Sequence, residues 1–191
     1  MSDEGASPRE LLLEACRRNN TSLLIEVLAS QKSASETAHL LNTATDGVGS
    51  YCLHVAASYG SSCGARGKTD EVLDQLLDQE NLEVDPLDRL EHDTPLHKAV
   101  RFVNSLPKSE WEAGASLVEL LLDAGADPRI RNKAKLKAME LVDPRNGELR
   151  GVLQRAEFLM QAGGDVVRDD EREGGEEDVE DGGLESASDS E

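Results

Sequence analysis

Apolar residues recur at helical spacing in several short runs. Residues 8–30, PRELLLEACRRNNTSLLIEVLAS, predict two short helices, with Asn19 and Asn20 at the turn between them. EVLDQLLDQE at 71–80 and SLVELLLDAGADPRIRNK at 116–133 repeat the pattern. In ELRGVLQRAEFLMQAG, Leu149, Val152, Leu153, Ala156 and Leu159 share one predicted face. Phe102 and Phe158 sit in helical runs and are predicted to be core.

One phrase occurs twice. Residues 46–61 read DGVGSYCLHVAASYGS and residues 94–100 read TPLHKAV, each placing Leu-His just inside a helix with Ala soon after. Each phrase precedes one of the helical runs above, so the repeated unit is helix, turn, helix. Gly125 in the tract Ala124 to Asp127 offers an exit where positive φ costs nothing.

These phrases resemble the ankyrin repeat. Leu53, His54, Ala56, Ala57 and Gly60 carry the first match, together with Asp46 and Gly49. Thr94, Pro95, Leu96, His97 and Ala99, then Gly125 and Asp127, carry the second. The resemblance implies an all-α fold, an ankyrin-repeat solenoid of about four helix-turn-helix units, two central and two capping. The predicted units are about 8–45, 46–88, 89–131 and 132–163, with residues 1–7 a disordered N-terminus and 164–191 an acidic disordered tail. Ala138 to Leu141 stand where the last unit's first helix would begin. The central units exceed the consensus by roughly 8 and 10 residues, which predicts insertions at Ser61–Asp70 and Asn104–Gly114. His92 stands where the family's turn has glycine.

Composition narrows the function. Aromatic residues are only 3%, so the core must be Leu, Val and Ala. No run approaches the ~18 apolar residues of a membrane span, and the N-terminus has no apolar leader. Cys16, Cys52 and Cys63 form no framework spacing, which predicts reduced thiols and a cytoplasmic or nuclear protein. The net charge of −19 argues against nucleic acid and for a basic protein partner. Residues 165–191 hold 13 Asp/Glu against Arg168 and Arg172, a composition predicted to stay unfolded. That segment reads equally as a solubilising tail or as a surrogate for nucleic acid that masks a basic client.

The candidate chemistry is sparse. Ser62 to Thr69 is one substitution from a phosphate-binding loop, but it follows a helical run where such a loop must follow a buried strand. No cysteine lies in a nucleophile signature and no metal spacing occurs, so no catalytic, cofactor or metal residues are expected. The resemblance makes His54 and His97 structural, bonding across adjacent turns. It also places ligands against the turns and first helices, which nominates Tyr59, Arg89, His92, Arg101, Trp111, Arg129 and Arg131 as partner-binding residues. Trp111 reads either as an interface anchor or as a pin for its own insertion. Ser186 and Ser188 each precede an acidic residue by three places, a pattern for phosphorylation. The expectation is a monomeric, non-catalytic interaction module; the chain resembles small fungal ankyrin proteins, among them an escort of a basic ribosomal protein with few repeats and an acidic tail, which implies a chaperone or escort. A regulatory or scaffold subunit binding a kinase, proteasome component or transcription factor is the alternative.

Overall fold

The computed structural model describes residues 5–59 and 71–162. Gly60, Cys63, the Ser62–Thr69 loop, the first predicted insertion, the tail, Ser186 and Ser188 lie outside the described residues.

Eight helices run along the described chain: α1 (Pro8–Arg18), α2 (Thr21–Ala29), α3 (Ala34–Thr43), α4 (Cys52–Tyr59), α5 (Glu71–Leu77), α6 (Pro95–Ser105), α7 (Trp111–Asp123) and α8 (Gly147–Gln161). Among the described residues extended pairing is limited to two isolated bridges, Thr45 with Tyr51 and Arg131 with Lys137. Local chemistry sets the starts. Ser7 and Glu10 form a reciprocal capping box ahead of Pro8. Thr94 caps α6 with Pro95 at its first turn. The Asn19–Asn20 pair divides the predicted turn's labour: Asn19 closes α1 in the left-handed region and Asn20 caps α2.

Packing turns these helices into a layered array. The first helices stack as α1 on α4, α4 on α6, and α6 on a 3₁₀ turn at Ala138–Leu141. The second helices α2, α5, α7 and α8 each cover the first element of their own unit. One apolar core runs through the stack and is almost wholly Leu, Val and Ala, with the buried thiols of Cys16 and Cys52. Burial pushes the Cys16 thiol well up and the Cys52 thiol up to about 12, so both stay protonated.

The structure corrects five expectations. The first unit carries a third helix, α3, whose signal was Ser33 capping the backbone of Glu36. The predicted Asn104–Gly114 insertion is largely helical, because α6 runs to Ser105 and α7 starts at Trp111. The last unit's first helix shrinks to the 3₁₀ turn. Phe158 is exposed, not core: Leu149 and Leu153 aim α8 at the stack, and at about 3.6 residues per turn Phe158 falls half a turn from Leu149. Leu159, predicted on the buried face, is also exposed.

Candidate partner-binding surface

Three short fingers join successive units, and each is closed by the same chemistry. In the first, the Asp46 amide donates to Ser50 O at 2.9 Å, and Asp46 Oδ1 accepts from the amides of Val48 and Ser50. Asp88 does likewise with Asp93, its Oδ1 accepting from Glu91 and Asp93. Asn132 repeats the role with Leu136. The residue before each closing position is left-handed: Gly49 (φ 85°), His92 (φ 53°) and Lys135 (φ 62°). His92 thus adopts the backbone a glycine would take, and the second finger has one residue more than the others.

Fingers stack on fingers. The Arg89 amide donates to Gly49 O at 3.3 Å, and the Lys133 amide to Glu91 O at 2.8 Å. A side chain at Gly49 would bring its Cβ within 2.5 Å of Arg89 Cβ.

The repeat histidines tie each first helix to the next finger. His54 Nδ1 accepts from the Tyr51 amide, which leaves the proton on Nε2 to donate to Asp93 O at 2.8 Å. His97 Nδ1 accepts from the Thr94 amide, and Nε2 donates to Leu136 O at 3.0 Å. Burial holds both imidazoles below the ordinary histidine pKa, only partly offset by the carbonyls they face. Neutral rings suit these bonds, since an imidazolium would leave Nδ1–H against an amide N–H.

Sequence reasoning missed the node between units. Asp93 is fully buried; Oδ1 accepts from Asn132 Nδ2 at 2.8 Å and Oδ2 from Arg101 Nε at 2.9 Å. Lys98 Nζ lies 2.6 Å from Asp88 Oδ2 and 3.5 Å from Asp93 Oδ2. The Asp88 carboxyl is held below the ordinary carboxylate range: burial works against this, and the Lys98 bond and two backbone amides overcome it. Asp85 goes the other way, raised by burial, with Oδ2 on the Asp127 amide and Oδ1 buried without a partner. Asn42 and Asn104 each bridge to a later segment, at Asn81–Glu83 and Leu141–Asp143. A signal for Asp88 did exist: it precedes His97 by nine residues, as Asp46 precedes His54 by eight.

The nominated partner-binding residues occupy different settings. Arg89 and His92 are exposed on the second finger, and Arg131 is exposed on the third, paired with Glu140 at 3.1 Å. Tyr59, at the end of α4, is 45% exposed. Arg101, on α6, is exposed at its edge while its Nε serves Asp93. Arg129 lies on the segment leading to the third finger, held by Asp127 at 2.8 Å. Trp111 is half-buried against the core; its Nε1 donates to Leu106 O at 3.1 Å and Lys108 Nζ stands over its ring. It is therefore a pin for the α6–α7 connection. The residues the sequence did not single out are apolar finger-tip side chains, Val48 and Leu90, both more than half exposed.

Among the described residues no group of three or more His, Cys, Asp and Glu is arranged to hold a metal ion, and no helix is long and apolar enough to cross a membrane. Stacked helical pairs with exposed apolar and cationic fingers define a repeat protein that presents a surface to another protein. The comparisons make the class specific: the chain belongs to the ankyrin-repeat family. The family model for the ankyrin repeat matches residues 91–133. The chain is 39% identical over 165 residues to ankyrin repeat-containing protein YGL242C of Saccharomyces cerevisiae, covering 85% of this chain and 84% of that protein. Its fold is similar to the human ASB11 ankyrin repeat domain (TM-score 0.55, 24% identity, 80% of this chain and 54% of that one). It is likewise similar to the ankyrin repeat domain of Bcl-3, a member of the IκB protein family (TM-score 0.55, 23% identity, 80% and 60%). The chain spans only about half to three-fifths of those two structures.

Proposed function

We propose that this protein is a non-catalytic escort that holds a basic client in the cytoplasm or nucleus. Ankyrin repeats indicate a protein-protein interaction module; the client's chemistry is the further step. The observation that carries it is the distribution of charge along the array. Residues 1–128 hold 22 Asp/Glu against 10 Lys/Arg, and Glu71, Asp74, Asp78, Glu80 and Glu83 on and after α5 are all exposed. With the acidic composition of residues 164–191, they make a basic client the complementary partner, and long-range attraction speeds its encounter. In this reading the protein acts as a monomer, and phosphorylation of Ser186 and Ser188 strengthens the anionic end.

A scaffold role is favoured by one local feature. Arg89, Lys133 and Lys135 lie on adjacent fingers, are exposed, and form no ion pair among the described residues. Such a surface suits an acidic partner. Affinity capture with the full chain and with a variant lacking 164–191 separates the two. Basic proteins retained by the full chain, and released steeply by salt, support the escort. Capture of acidic proteins, reduced by Arg89→Glu and Lys133→Glu and not by loss of 164–191, sinks it.

A further inference from the structure

The start of α8 carries a dipeptide that stability alone does not explain. Of the chain's seven asparagines, Asn146 is the one followed by glycine. It is buried, 4% exposed, and caps α8: Oδ1 accepts from the Leu149 amide at 3.1 Å, and the Asn146 amide donates to Asp143 O at 2.9 Å. Its carbonyl accepts from the Arg150 amide at 3.3 Å. Nδ2 is buried and makes no hydrogen bond among the described residues. A cap needs only the oxygen, so the amide nitrogen adds a desolvated donor that an aspartate or serine cap would not.

Gly147 is equally unrequired by the fold. It is exposed at the first position of α8, its φ lies outside the left-handed region, and a Cβ there would meet nothing within 4 Å. Glycine is also the poorer helix former, by up to about 1 kcal/mol against alanine. What the pair does share is reactivity, because without a Cβ the Gly147 nitrogen meets least hindrance in reaching the side-chain carbon before it.

We propose that Asn146 is a deamidation site gated by the opening of α8. The Gly147 nitrogen attacks Asn146 Cγ; the new C–N bond forms, the Cγ–Nδ2 bond breaks, and Nδ2 leaves as ammonia with the Gly147 proton. Water then opens the cyclic imide. Addition at Cγ restores the main chain with an aspartyl side chain, whereas addition at the main-chain carbonyl carbon routes the chain through Cβ and Cγ as isoaspartyl. Ring closure needs the Gly147 nitrogen on the Cβ side of the Asn146 Cα–C bond, and at ψ 77° it lies on the far side. Turning that bond breaks the cap on Leu149 and swings the start of α8 away, so the folded unit resists and the opened one reacts.

The two products have different fates. An aspartyl carboxylate still accepts from the Leu149 amide, and a helix N-terminus favours its charge. The isoaspartyl product inserts a methylene into the main chain between Asp143 and Arg150, so the three backbone bonds that start α8 no longer fit together. The modification thus makes opening of the last unit one-way. It stands apart from the escort reading, because it needs no client.

The test ages the full chain in mildly alkaline buffer, without and with guanidinium chloride. Mass spectrometry with electron-transfer fragmentation separates aspartyl from isoaspartyl peptides. The expected result is conversion at Asn146 ahead of the other asparagines, about tenfold or more slower in the folded chain than in the unfolded, since only the opened fraction reacts. Conversion should accelerate at denaturant levels that still leave 95–105 protected from hydrogen exchange. It is abolished in Asn146→Ser, which keeps a capping oxygen, and slowed in Gly147→Ala, where the added Cβ has room. Exchange over 147–161 rises in the isoaspartyl fraction and stays at the parent level in Asn146→Asp. Equal rates in folded and unfolded chains, or conversion that appears only with global unfolding, overturn the proposal. An isoaspartyl fraction that exchanges like the parent, or like Asn146→Asp, overturns it as well.

Discussion

At the residue scale the array is held by a few buried polar groups, several of whose partners belong to neighbouring units. Asp93 is the clearest case, receiving Asn132 and Arg101 on its carboxylate and His54 on its carbonyl. Asp93→Ala leaves Asn132 Nδ2 buried without its acceptor and removes the carboxylate from Arg101 and Lys98, and is expected to cost about 3 kcal/mol. Asp93→Asn keeps an acceptor and is expected to cost less than half of that; urea unfolding of both variants checks the order. The left-handed positions give opposite signs for superficially similar changes. Gly49→Ala meets Arg89 Cβ at 2.5 Å with φ at 85°, and is expected to lose about 2 kcal/mol. Lys135→Gly relieves a non-glycine residue at φ 62°, and is expected to gain about 0.5–1 kcal/mol.

The histidines make a pH prediction with a definite sign. Burial depresses both, so the unfolded chain takes up protons that the folded chain refuses. Their contribution is complete above the unfolded histidine value, about 6.5, and declines as pH falls from there toward the folded values. Unfolding free energy should therefore drop between pH 7 and pH 5, ahead of most carboxylate titration. Imidazole NMR shifts of His54 and His97 should remain those of neutral rings below pH 6.5. Rings that titrate normally there would show that the inter-unit bonds are not held in solution.

At the scale of elements, each helix depends on its neighbour more than on its own sequence. A 7-residue helix such as α5 is below the length at which isolated helices form, so it exists because Val72, Leu73 and Leu76 are buried against the stack. The α6–α7 connection depends on Trp111. Trp111→Ala removes its packing and its bond to Leu106 O, with an expected loss of about 2–3 kcal/mol. Phe158→Ser is the control on α8: at 67% exposure its effect on stability should stay within about 0.5 kcal/mol.

At the scale of the whole molecule, the array is quasi-one-dimensional, and stability is carried by interfaces between successive units. Helix α8 covers α7 and the 3₁₀ turn with only two buried apolar side chains, Leu149 and Leu153. The last unit is therefore expected to open first, with amide exchange at 138–161 faster than at 95–105. Hydrogen exchange measured by mass spectrometry tests this; uniform protection across both segments would contradict it.

Much of this was legible in the chain. Helical spacing, the twice-written Leu-His phrase and the glycine exit determined the class of fold, because local hydrogen bonding and apolar periodicity are properties of consecutive residues. The same reading nominated His54 and His97 and placed Asn19 and Asn20 at a turn. Three things were decided by tertiary structure. Phe158 lies in an apolar run and still faces outward, because Leu149 and Leu153 chose the face that meets α7. Asp93 and Asn132 carry no motif of their own and matter because stacking removes water from them and brings together groups about forty residues apart. Trp111 became a pin when α6 and α7 closed around it. Sequence determined which units repeat; contact between units decided which polar groups are buried, because only stacking removes water from them and supplies their partners.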